Sequence, residues 1–380
     1  MIDHSSDRTH HRLHPTLTTM VLVARQPFAV NHGLTASLSS HSNEWMSSIV
    51  PVPNHRRPWS PKSPLKGLFA GSGNGAMSHP YFAQSVVDLT KRSPQEVNLL
   101  YIGTASYDLA RYRDIQTSAF AALGCTIHSL DVANQSPLLI DLEDAVEKAH
   151  IILVSGGNTL YAVDRWRALG LDGLLKDAAH RGVVMTGGSA GCICWFDGGH
   201  SDSMDPDTYR VPMLSEVQQE NPNAGASNAR TSAHFNEGAS AIGNWQEGLG
   251  LPHYDRIQSN GVPRMFDFDK MMSRHSLELG LGIDHFAALE INGEDFRILS
   301  IPGASGSVPH VEDEESLNVP MVPGAWIKFV DEDGAIQSKA CPSSGKIEDL
   351  LQALVDPSKH IWPDGRVEIC RQQNPGPSTD

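Results

Sequence analysis

From Leu65 onward the chain alternates short apolar β-type runs with helical patterns, and that alternation most constrains its fold. The apolar runs occupy Leu68–Ala70, Val97–Ile102, Ile127–Leu130, Ile151–Val154 and Val183–Met185. Helical patterns fall between or after them, over Tyr81–Lys91, Tyr112–Leu123, Leu142–Ala149, Leu160–Leu169 and Leu171–His180. Strands joined through helices of this length make βαβ units, whose crossovers force neighbouring strands to run parallel and place helices on both faces. The expectation is an α/β fold with a doubly wound, mostly parallel sheet.

Beyond residue 240 the texture becomes β-rich. Phe286–Ile291 and Arg297–Ile301 flank Asn292-Gly293-Glu294-Asp295, a hairpin signal, and Ala325–Val330 reads as another strand. Lys346–Val355 has an amphipathic helical pattern, and the acidic run Glu312-Asp-Glu-Glu315 reads as a solvated loop. Residues 65–356 are therefore expected to form one catalytic domain with β-rich C-terminal additions, and residues 357–380 a tail.

Residues 1–64 differ from the rest. They hold 10 Ser and 7 of the 18 His, with 6 Lys/Arg against 3 Asp/Glu, and end in the Pro-studded run 51–64. No apolar period persists there, so the segment reads as a disordered or targeting N-terminal extension. Met20–Ala24 is too short for a secretory apolar core. His10, His11 and His14 read as a solvated cluster, since no acidic or Cys partner follows at ligand spacing.

Charge and cysteine content narrow the function. With 29 Lys+Arg against 44 Asp+Glu, the net charge of −15 argues against binding nucleic acid through its phosphates. The longest apolar runs fall far short of the ~20 residues that span a bilayer. Five cysteines, sparse and odd in number, indicate a reducing compartment and hence a cytoplasmic protein, with organelle targeting by the N-terminal extension the alternative.

The segment Val183-Val-Met-Thr-Gly-Gly-Ser-Ala-Gly-Cys-Ile-Cys-Trp195 carries the chemistry. An apolar strand runs into a G-x-S-x-G turn and then into a helical run, the context a nucleophile elbow needs. A hydroxyl projected from so sharp a turn requires neighbours without side chains, which is the role of the glycines. A second strand and glycine turn, Ile151-Ile-Leu-Val-Ser-Gly-Gly-Asn-Thr159, ends on the same sheet edge if the strands are parallel. There the N–H groups of Gly157 and Ala190 are candidates for an oxyanion hole, and Asn158 for the cap of the next helix. The serine needs a base. His253 follows a stiffening proline in Gly248-Leu-Gly-Leu-Pro-His-Tyr-Asp255, which favours it weakly over His200, His234, His275 and His285. Gly71-Ser-Gly-Asn-Gly-Ala76 is a weak dinucleotide-loop signal, and Cys192 would lie inside the elbow helix rather than at its apex.

Ser155-Gly-Gly-Asn-Thr159, Gly188-Ser-Ala-Gly191 and Pro252-His-Tyr-Asp255, in that order, resemble the peptidase E (aspartyl dipeptidase)/cyanophycinase group of serine peptidases. Cys194-Trp-Phe-Asp-Gly-Gly-His-Ser-Asp-Ser203 is similar to the stretch after the nucleophile in bacterial members, and the likeness extends over roughly residues 66–300. The resemblance implies a class I glutamine amidotransferase-like (flavodoxin-like) fold, with Ser189 as nucleophile and His253 as general base. Gly157 and Ala190 would then supply the oxyanion hole, with no metal or organic cofactor. The family's catalytic acid sits in a motif matching Gly282-Ile-Asp-His-Phe-Ala-Ala-Leu289, where this chain has His285. Asp284 and Asp202 are the candidates to replace it. Arg264 lies where the family has an Arg that pairs with a substrate's N-terminal Asp, and Asn158 is a second substrate-binding candidate. The resulting expectation is a monomer or homodimer, unattached to membranes, that hydrolyses small peptides with an N-terminal Asp preference. Hydrolysis of β-Asp-Arg bonds and a catalytically impaired binding relative are the alternatives.

Overall fold

The computed structural model describes residues 65–196, 198–201, 203, 249–257, 261–275, 279–309, 320–331 and 333–347. The segments 1–64 and 357–380, the triad of N-terminal histidines and the acidic run at 312–315 lie outside the described residues.

The first five strands are β1 (Lys66–Ala70), β2 (Asn98–Ile102), β3 (Thr126–Ser129), β4 (Ile151–Val154) and β5 (Val184–Gly188). All pair in parallel, in the order β3-β2-β4-β5-β1. They are linked by α1 (Asn74–Met77), α2 (Pro80–Thr90), α3 (Ala110–Leu123), α4 (Leu139–Glu147), α5 (Thr159–Leu169) and α6 (Leu171–His180). The five expected strands and five expected helices are all present, with ends shifted by up to three residues. Parallel strands covered on both faces need apolar residues at every position, and alternate side chains go to opposite sides. Leu68, Leu99, Tyr101, Ile151 and Leu153 meet Phe82, Val86 and Phe120 of α2 and α3. Phe69, Leu100, Ile102, Ile152 and Val154 meet Leu142, Val163, Trp166 and Leu175 of α4, α5 and α6. Truncating a fully buried residue such as Ile152 to Ala would cost about 2–5 kcal/mol.

The remaining elements are α7 (Ala190–Ile193), β6 (Gly198–Gly199), β7 (Leu249–Pro252), α8 (Arg264–Met272), β8 (Gly280–Ile283), β9 (Ala287–Asn292) and β10 (Asp295–Ser300). They are followed by the short pair β11 (Val308–Pro309) and β12 (Met321–Val322), then β13 (Ala325–Val330), β14 (Ile336–Ala340) and β15 (Ser344–Lys346). β9 runs antiparallel to β1, and β10 and β15 follow it. Among the described residues the main sheet is thus eight-stranded and mixed. The β9–β10 hairpin turns at Gly293, whose φ of 69° suits a residue without a Cβ. Lys346, expected to open a helix, instead closes β15 opposite Asp295, and the rest of that expected helix from residue 348 lies outside the described residues.

A second sheet, β6-β7-β8-β13-β14, was not evident from the sequence. Its β7 and β8 run parallel, so their C-terminal ends lie side by side, with Pro252 opposite Ile283. One face of this sheet packs Leu281, Ile283 and Ile327 into the larger core, and the other packs Tyr254, Phe268, Met272 and Trp326 together. No helix among the described residues is long and apolar enough to cross a membrane.

Candidate active site

Ser189 stands at the C-terminal end of β5, immediately before α7, with φ 57° and ψ −120°. A residue with a Cβ is strained there, at a cost of about 1–3 kcal/mol, and such strain collects at functional sites. Backbone packing holds the turn. A Cβ on Gly188 would lie 1.9 Å from the Ser72 carbonyl oxygen, and one on Gly191 2.1 Å from that of Val154. No side chain fits at either position. The β4 turn lies against the same serine: a Cβ on Gly156 would sit 3.3 Å from Ser189 Cβ. Next to it, Gly157 has φ 132°, and a Cβ there would come within 2.2 Å of the Ala105 carbonyl oxygen.

His253 follows β7 and has φ 55°. The Ser189 amide donates to the Ala70 carbonyl at 3.2 Å, and the His253 amide to the Gly71 carbonyl at 3.0 Å. Both residues are therefore anchored to consecutive carbonyls at the end of β1. Burial, the Arg264 guanidinium, the neighbouring His285 and Arg256 together hold the His253 imidazolium well below its ordinary pKa. His253 is neutral at pH 7, as a general base must be.

The partner of His253 is His285, just past the end of β8, with the two Nδ1 atoms 2.8 Å apart. The His285 amide donates to Asp255 Oδ1 at 2.7 Å, and its ring meets the Phe286 ring edge to face at 4.5 Å. Asp255 closes the Pro252-His-Tyr-Asp255 motif and was given no role from the sequence; its spacing from His253 was the available signal.

Asp284 does not reach the imidazole of His253. Its carboxylate accepts from the Ser307 amide at 2.8 Å, the Ser307 hydroxyl at 2.7 Å and the Gly324 amide at 3.0 Å. These bonds tie the end of β8 to the loops beside β13. Burial pushes its carboxyl up to about 6, against the bonds from Ser307 and Gly324. Asp202 lies outside the described residues.

Arg264 opens α8 and is buried, with its amide on the Arg256 carbonyl at 2.9 Å. Asn158 caps α5: its Oδ1 accepts from the Tyr161 amide at 2.9 Å, and its Nδ2 donates to Tyr107 Oη and the Ser203 carbonyl. Cys192 and Cys194 are fully buried, and burial raises both thiols far above their ordinary range, which leaves neither suited to act as a nucleophile. Gly71 of the 71–76 loop serves close backbone approach, since a Cβ there would meet the Asp284 carbonyl oxygen at 1.8 Å.

A family model described as Peptidase family S51 matches residues 68–218. The chain is 30% identical over 319 residues to a protein named G2/mitotic-specific cyclin-1 from Trypanosoma brucei brucei, covering 77% of this chain and 89% of that one. It is 34% identical over 145 residues to the uncharacterized peptidase YgaJ of Bacillus subtilis (strain 168), covering 37% of this chain and 61% of that one. A crystal structure described as a candidate peptidase E from Listeria monocytogenes EGD-e aligns with a TM-score of 0.43 at 17% identity, over 63% of this chain and 100% of that one. The family-model match and the likeness to YgaJ support a peptidase E-type family for this chain.

Proposed function

We propose that this protein is a serine peptidase acting on small peptides, with Ser189 as nucleophile and His253 as general base. The observation that carries the reading is the strained Ser189 turn, anchored beside His253 at the end of β1. In this mechanism His253 takes the Ser189 proton as the hydroxyl oxygen attacks the scissile carbonyl. His253 then protonates the leaving amine, and water, deprotonated by the same imidazole, releases the acyl group and restores the serine.

The Ala190 amide, in the first turn of α7, has no acceptor within its own helix, and the turn carrying Gly157 packs against Ser189. Both facts support an oxyanion hole made by these two N–H groups, worth a factor of ~10²–10³ in turnover per donor. The five parallel strands with helices on both faces support the class I glutamine amidotransferase-like version of the α/β fold. Buried Arg264, whose charge acts on His253, supports an anionic group on the substrate, such as an N-terminal Asp side chain. Asn158 is better explained as the α5 cap, because its amide groups are engaged within the protein.

A non-catalytic binding role is the second reading. It is favoured by His285 in place of an acid, and the Trypanosoma relative bears the name of a cyclin. Comparing release of amino acids from Asp-Leu and from a β-Asp-Arg dipeptide, with Ser189→Ala as control, separates the possibilities. Hydrolysis of Asp-Leu that disappears in the variant supports the proposal, cleavage of the β-linked peptide alone moves it to that substrate class, and no hydrolysis of either favours binding.

A further inference from the structure

We propose that His285 is a positioning residue for His253, accepting the His253 Nδ1–H on its own Nδ1 so that His253 Nε2 carries the lone pair that deprotonates Ser189. The inference rests on the serine-peptidase reading above and adds what replaces its acid.

Two imidazole nitrogens 2.8 Å apart are at hydrogen-bond distance, and such a contact requires one donor and one acceptor. Two protonated rings would place two N–H groups face to face, and two lone pairs would repel. A base toward serine needs Nε2 unprotonated, which puts the His253 proton on Nδ1. His285 then accepts on Nδ1 and carries its own proton on Nε2. The surroundings fit that tautomer. A Cβ built on Gly75 would lie 3.2 Å from both His285 Nε2 and Ser72 Oγ, so both atoms border that position. Ser72 Oγ is buried there without a hydrogen-bond partner among the described residues.

The backbone sets the contact. His253 and His285 lie just past the ends of the adjacent parallel strands β7 and β8, and the Tyr254 amide donates to the Ile283 carbonyl at 3.0 Å. The bond from the His285 amide to Asp255 ties the two loops together. The charged and titratable groups around the pair are Arg264, Arg256, Asp255 and, beyond the β8 end, Asp284. The two guanidinium groups disfavour an imidazolium, whereas Asp255 supports one at His285. A neutral His285 fixes the tautomer of His253 but supplies no negative charge to the imidazolium formed in the transition state.

The test measures the rate of Ser189 phosphonylation by a fluorophosphonate across pH in the full-length protein and in His285→Ala, His285→Asn and His285→Asp, with Ser189→Ala as the blank. Thermal unfolding of each variant establishes that it is folded. His285→Ala should react about tenfold to a hundredfold more slowly at every pH. His285→Asn places an amide oxygen where Nδ1 stood and should recover to within about threefold of the parent. His285→Asp should move the acid limb of the rate profile upward by about one pH unit or more, because a carboxylate favours the imidazolium. His285→Ala reacting at the parent rate with an unchanged acid limb, in a protein whose Ser189 is labelled, would overturn this proposal alone. A parent protein that takes no label would overturn the serine-peptidase reading and this proposal with it.

Discussion

The Nδ1 atoms of His253 and His285 lie 2.8 Å apart, at the ends of two neighbouring parallel strands. In the mechanism proposed above, a second imidazole stands where a carboxylate would steady the base, and burial, two guanidinium groups and His285 hold the His253 pKa well below its ordinary value. Its folded pKa lies well below the value of ~6.5 found in an unfolded chain. The acid limb of hydrolysis should therefore fall below pH 6.5. A kcat/KM profile that keeps most of its pH 7.5 value at pH 6 meets the expectation, and one centred at or above 6.5 contradicts it.

The same groups make stability respond to pH in opposing directions. Lowered pKa values at His253 and His285 mean that the unfolded chain takes up protons first, so stability falls as pH drops through 6.5. Asp284 is raised to about 6, chiefly by burial, so its contribution is fully present below the unfolded value near 4 and lost as pH rises through about 6. Asp284→Asn removes only the second effect. Urea unfolding should show this variant losing about 2 kcal/mol more than the parent between pH 7 and pH 4. It should also keep turnover, because its contacts are with Ser307 and Gly324 rather than with His253.

Backbone strain at Ser189 gives a prediction independent of substrate. At φ 57° and ψ −120° any Cβ is disfavoured, so Ser189→Ala retains the strain and Ser189→Gly relieves it. Both variants should be inactive. Ser189→Gly should be the more stable of the two by about 1 kcal/mol in chemical denaturation.

Gly157→Ala tests the second glycine turn. The added methyl would lie 2.2 Å from the Ala105 carbonyl oxygen at a φ of 132°, so the turn must shift and carry its amide with it. Turnover should fall by ~10²–10³ through kcat if that amide is an oxyanion donor. A loss confined to stability would show that the glycine serves packing alone.

Behind His253, Lys328 is fully buried, its Nζ bonded to Asp269 of α8 and 5.4 Å from the centre of the Tyr254 ring. Removing one member of a buried pair leaves the other charge uncompensated. Lys328→Met should cost about 3–5 kcal/mol, and adding Asp269→Leu should recover much of it, as read from denaturation midpoints.

The main sheet was legible in the sequence because its inner parallel strands are buried on both faces and read as apolar runs such as Ile151-Ile-Leu-Val154, whereas the edge strand β3 is largely exposed. The second sheet was not. Its β6, β7 and β8 are two to four residues long and rich in glycine, because close neighbours leave no room for side chains: a Cβ on Gly282 would meet the Tyr254 ring at 2.3 Å. At the candidate site, the strained turn at Ser189 showed through its glycines, and the oxyanion candidates followed from parallel strand ends. The pairing of His253 with His285 depends on where β7 and β8 end relative to each other, which no local pattern encodes. Asp284 looked like an acid beside the right strand, but its carboxylate is turned to Ser307 and Gly324.

Mapping the covalent adduct formed by a fluorophosphonate, by peptide mass spectrometry of the parent protein and of His253→Ala, tests the central claim most directly. The expected result is a single phosphonylated peptide carrying Ser189, with the adduct strongly reduced when His253 is replaced. Labelling at another residue, or equal labelling of Ser189 without His253, would contradict the account.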